Sequence, residues 1–184
     1  MLYAFCFETV GVVAGDLFFV DPDPGPGQEG AERGVRLEVR VVERPELQGS
    51  VYSVQPINFE RAVWRVDLLE TVAGEPGSHD RTHHHPRMRG GWEPGRREWD
   101  DDLGADPVAW VGRQLADLDA LLARSDVDPS TIDPGDAARL RDAVPEIVDA
   151  VRTLLERVWA GELGNPPEGY EPREERVLAR AGWL

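Results

Sequence analysis

The apolar residues of this chain repeat with a period of two before about residue 100 and with a helical period after it. That switch constrains the fold more than any other feature, because a period of two buries one face of a sheet and a period near 3.6 buries one stripe of a helix. Val35-Arg36-Leu37-Glu38-Val39-Arg40-Val41 alternates apolar and charged residues without a break. It predicts a strand with one face on a core and the other in water. Trp64, Val66 and Leu68 alternate with Arg65 and Asp67 in the same way, and Leu2 to Phe7, Leu17 to Val20 and Val51 to Val54 are further β-rich runs between turn formers. Five to seven antiparallel strands over residues 1–100 follow, with Asp21 to Glu32 (DPDPGPGQEGAE) as a solvated connection.

Past residue 100, Asp106-Pro107 supplies an N-cap carboxylate followed by proline at the first helical position, and Val108, Val111, Leu115, Leu118 and Leu122 form one stripe. This predicts a helix to about Arg124. Asp133-Pro134 repeats the start signal, and Leu140, Val144, Ile147, Val151, Leu154 and Val158 keep phase across Pro145, where a kink or split is expected before Gly161 ends the helix. After the Pro-rich strap Gly164 to Pro172, Arg173 to Ala181 suits a last short helix. The expected fold is α+β in one domain over 1–184, a β-rich part (1–103) and a helical part (104–184), with two main C-terminal helices packed on one face of the sheet.

The chain has 184 residues, enough to bury a core without disulfides, and its single Cys6 cannot form an intramolecular one. A reducing cytoplasm is expected, with no leader and no membrane span. A formal net charge of -15 argues against wrapping a phosphate backbone, so nucleic acid is not an expected partner. A homo-oligomer is compatible with the sequence.

All four histidines fall in one window, His79-Asp80-Arg81-Thr82-His83-His84-His85. It opens a basic island, with five Arg against Asp80 and Glu93 between His79 and Arg97. Read as an extended strand, the window puts His79, Arg81, His83 and His85 on one face and Asp80, Thr82 and His84 on the other. Imidazoles and guanidinium suit the face away from the helices, an open polar floor shared with Arg36, Glu38, Arg40, Arg65 and Asp67. Thr71 to Ser78 reads as a turn, and a hairpin centred on Glu75 sets Asp67 opposite His83 and Arg65 opposite His85.

Three readings of this cluster stand side by side. In the first, His83 and His85 reach one divalent transition metal (zinc, iron or nickel), with His79, Glu38 or Asp67 completing the sphere. The pair resembles the His-x-His strand of cupins over those residues alone; residues 86–92 (PRMRGGW) lack the acid which that pattern places a few positions on. In the second, His83, His85 and Asp67 supply acid and base chemistry, while Arg65, Arg81, Arg87 and their neighbours hold a small anionic ligand and Trp92 offers a stacking surface. In the third, the histidines are a polar strand that bonds neighbouring acids, and the protein is an acidic, non-enzymatic binder of a basic protein partner, of the immunity or antitoxin kind. Residues 100–184 carry 19 acidic residues against 9 Arg, which suits that partner.

Overall fold

The computed structural model describes residues 1–170 apart from Gly27 and Asp126; the expected helix at 173–181 lies outside them. Five strands, β1 (Leu2–Cys6), β2 (Val10–Val20), β3 (Ala31–Glu43), β4 (Asn58–Thr71) and β5 (His83–His85), form an antiparallel sheet in chain order. A small ribbon, β6 (Met88–Arg89) with β7 (Glu93–Pro94), follows. The helices are α1 (Asp101–Ala105), α2 (Pro107–Ala116), α3 (Leu118–Arg124) and α4 (Asp136–Trp159), with a 3-10 turn at Pro129–Thr131. The fold is α+β, as the change of period predicts. No helix among the described residues is long and apolar enough to cross a membrane.

Alternation decides which face meets the helices. Val12, Ala14, Val35, Leu37, Val39, Trp64, Val66 and Leu68 are fully buried and share a core with Trp110, Val111, Leu115, Leu140, Ile147, Val151 and Leu154. His84 belongs to this side, its ring 5.0 Å from Trp110, which stacks on Trp64 at 6.0 Å. Burying an aliphatic side chain of this kind contributes roughly 1.5–3 kcal/mol, so the core face dominates folding. Gly34 lets two strands meet closely, since a Cβ there would lie 2.0 Å from the Leu68 carbonyl oxygen.

Four sequence expectations are corrected. Val51 to Val54 is not a strand but a bend whose Val51, Tyr52 and Val54 are exposed. Among the described residues no strand pairs with it. The helix expected from 107 to 124 is broken at Asp117, whose carboxylate accepts from Ala120 N at 3.0 Å and starts α3. Helix α4 begins at Asp136 rather than at Asp133-Pro134, and runs unbroken through Pro145. The histidine window is extended only over His83–His85; His79 has φ 53° in the preceding turn.

Asp136 explains where α4 begins. Its fully buried carboxylate accepts from the backbone N–H groups of Glu8, Thr9 and Val10 at 3.1, 2.8 and 3.1 Å and from Thr9 Oγ1 at 2.8 Å. Arg139 adds a bond at 2.9 Å. One side chain thus ties the long helix to the turn between β1 and β2.

Candidate metal centre

The register of β4 and β5 is the one the Glu75-centred hairpin requires, with Asp67 opposite His83 and Arg65 opposite His85. The turn between them is held by Asp80, whose carboxylate accepts from Thr71 N, Thr71 Oγ1 and Ser78 Oγ, each at 2.9 Å. By alternation, Asp67, His83 and His85 point away from the helices. They are nonetheless 1–3% exposed, so the polar floor expected to be open is covered around these three residues, while Arg36 keeps 31% of its side chain exposed. Chain continuing past the ribbon lies beside β5 through a two-way backbone pairing of His84 with Glu98. This puts the Trp99 ring 6.0 Å from His83 and the Gly95 carbonyl on His85. Arg97 then bonds Gln28 at 2.9 Å and Asp21 at 3.2 Å, tying down the Pro/Gly connection. Paired charges can be covered in this way at far lower cost than lone ones.

Hydrogen bonding fixes both ring tautomers. His83 Nδ1 lies 2.8 Å from the Arg81 carbonyl oxygen and His85 Nδ1 lies 3.0 Å from that of Gly95. A carbonyl only accepts, so each Nδ1 carries a proton, and in the neutral ring Nε2 then presents a lone pair. His85 Nε2 accepts from Arg65 Nη2 at 3.2 Å. No donor among the described residues reaches His83 Nε2, which faces Asp67 Oδ2 at 3.5 Å; His85 Nε2 stands 3.6 Å from the same oxygen. The three donor atoms all lie within 4.8 Å of one another. Donors held about 2.0–2.2 Å from a tetrahedral ion sit roughly 3.3–3.6 Å apart, the spacing of the two carboxylate–imidazole edges.

The charges around this triad are strongly perturbed. Burial pushes the Asp67 carboxyl up, yet the guanidiniums of Arg36 and Arg65 hold it well below the usual carboxylate range. Arg36 Nε donates to Oδ1 at 2.7 Å and Arg65 Nη2 to Oδ2 at 2.8 Å. Burial depresses His83 to about 4, outweighing the Arg81 carbonyl and Asp67, so its ring is neutral at physiological pH. Glu32, also buried, has its carboxyl raised by burial against the pull of Arg81 and Arg97.

The remaining sequence candidates divide. Arg65 is in the cluster, but bound to Asp67 rather than turned to a ligand. Arg81 approaches Glu32 at 3.9 Å and Asp80 at 3.8 Å. His79 is not with the other odd-numbered histidines: the turn carries its ring to the helix side, 5.7 Å from Trp159. Glu38 shares the sheet face but pairs with Arg40, and it is not among the converging donors. Arg87 leaves the site altogether, its Nε donating to the Arg124 carbonyl at the end of α3. Trp92 sits exposed at the turn of the β6–β7 ribbon. Alternation along β3 already places Arg36 on this face, without a role at the site; Glu32 and the two carbonyls on the imidazoles are absent from the sequence-based set. The same alternation could have supplied Glu32; the carbonyls had no sequence signal.

A depression of about 170 Å³ lies on the same face of the sheet, lined by Leu2, Val13, Gly15, Asp16, Leu17, Arg36 and Glu38. It meets the cluster at Arg36. No known protein family, curated protein or solved structure matches this chain.

Proposed function

We propose that His83 Nε2, His85 Nε2 and Asp67 Oδ2 bind one divalent transition metal, and that the centre binds or hydrolyses a small anionic ligand. The observation that carries this reading is the convergence of three lone-pair donors in a buried site, two of them imidazoles oriented by backbone carbonyls. Such outer hydrogen bonds are the usual support of metal-ligating histidine. Two imidazoles and one carboxylate suit zinc, iron or nickel, and three protein ligands leave at least one position open. A metal there supplies a Lewis acid; Arg36 and Arg65 supply positive charge beside it for an anion. Incubating untagged protein with zinc, iron or nickel, followed by dialysis and elemental analysis, tests this. About one equivalent of metal is expected in the wild type and none in a His83→Ala/His85→Ala variant; an empty wild-type protein rejects the reading.

One observation favours a metal-free alternative: Arg65 already reaches Asp67 and His85, so the cluster is neutralised from within. In that reading the protein is the acidic partner-binding molecule whose histidines are structural. The exposed side of α4 gives it little support, because Arg139, Arg141 and Arg152 are interspersed with Asp142, Glu146, Asp149 and Glu156. A mixed face of this kind presents no single-sign field to a basic partner.

A further inference from the structure

This inference deepens the metal reading and depends on it. Arg65 Nη2 lies 2.8 Å from Asp67 Oδ2 and 3.2 Å from His85 Nε2. A neutral imidazole nitrogen has one lone pair, so an ion bonded to His85 Nε2 takes the lone pair that Arg65 Nη2 now donates to. Two cations cannot share it. Arg65 is also loosely committed for a buried guanidinium, since its Nε is buried with no hydrogen-bond partner among the described residues. Asp67 does not need it, because Arg36 stays on the other oxygen at 2.7 Å.

Displacement leaves a charge problem. A divalent ion, Arg36 and Arg65 then surround the single negative charge of Asp67 in a site with little water, where unbalanced charge is costly. The nearby acids are already engaged: Glu38, opposite Arg65 in the register, pairs with Arg40, Glu32 lies by Arg81, and Asp21 bonds Arg97. A negative ligand must come from outside, and a planar guanidinium matches an oxyanion in two-point geometry.

We propose that this is an oxyanion-dependent metal site, in which the ion displaces Arg65 from Asp67 Oδ2 and His85 Nε2 and a small carboxylate or phosphate bridges the open metal position to the freed guanidinium. No covalent step is involved. The depression beside Arg36, with Leu2, Val13 and Leu17 in its wall, offers room for an apolar remainder of such a ligand.

The test is a titration of untagged, chelator-stripped full chain with micromolar cobalt(II), followed by visible absorbance, in a buffer free of coordinating anions. It is repeated with acetate and with inorganic phosphate. The wild type should bind cobalt about tenfold or more tightly when one of the two is present, and the effective arm identifies the oxyanion class. Arg65→Met should bind cobalt without oxyanion at least as tightly as the wild type and lose the oxyanion effect. Arg65→Gln, which keeps a polar side chain, should behave likewise and guards against misfolding of the first variant. Weaker cobalt binding by both variants in anion-free buffer, or no effect of either oxyanion on the wild type, overturns the inference and leaves the metal site standing. Absence of cobalt binding in all three proteins overturns the metal reading and this inference together.

Discussion

Asp67 and Asp136 are both buried carboxylates, at 1% and 0% exposure, and they are satisfied in opposite ways. Asp136 is met chiefly by neutral donors, three backbone N–H groups and a hydroxyl, all aimed at its oxygens. Nothing in that pocket lacks a partner that the carboxylate provides. Asp67 is met by two guanidiniums and faces two imidazole lone pairs, one without a donor among the described residues. The first arrangement is complete and holds a helix on a turn. The second is complete only while Arg65 stays in place, and an acceptor facing an acceptor invites a cation. Burial and a lowered pKa are common to both acids and therefore do not separate structure from function. The chemistry of the neighbours does.

The largest effect should come from Asp136→Ala. It strands the donors of Glu8, Thr9 and Val10, at a cost of about 3–5 kcal/mol and a fall in Tm of roughly 10 °C or more, read by circular dichroism. Metal binding by the folded fraction should be unchanged. Asp67→Ala should destabilise about as much, because it leaves the buried Arg65 unpaired, and should also abolish metal binding. The comparison sharpens with a rescue: Asp67→Leu combined with Arg65→Met should recover most of the stability, since a buried ion pair is replaceable by packed apolar groups. If it does not, Asp67 is as structural as Asp136.

Acid should act on both. Burial pushes each carboxyl up, but at Asp136 the Thr9 and Glu8 donors outweigh it and hold the pKa below its ordinary value. The same direction holds at Asp67. A carboxyl depressed in the folded state stabilises above its unfolded pKa, near 4, and that stability is lost as pH falls below it. Thermal melts between pH 6 and pH 3 should therefore show falling stability, with a shallower slope in Asp136→Asn. An unchanged slope breaks the assignment of that shift to Asp136. The smallest effects should come from His79→Ala and His84→Leu, which lie on the helix side. Both should keep wild-type metal affinity within about threefold by calorimetry, a change under roughly 0.7 kcal/mol.

The sequence made the centre of the site legible because alternation is a geometric rule. Once the turn around Glu75 was recognised, Asp67, Arg65, His83 and His85 had to meet on one face. The same rule failed at His79, where a positive φ ends the strand that alternation assumed. It also could not show that the triad is buried, because Gly95 and Trp99 reach His85 and His83 through contacts set by tertiary packing. Asp136 was missed for a related reason. Its partners lie 126 to 128 residues away, and no local pattern announces them. Local start signals favoured Asp133 instead.

The most direct test is anomalous diffraction at the zinc edge from zinc-soaked crystals of the full chain. The expected result is one peak about 2.0–2.2 Å from His83 Nε2, His85 Nε2 and Asp67 Oδ2, with none at Asp136. A fully soaked crystal with no peak at the triad contradicts the metal centre.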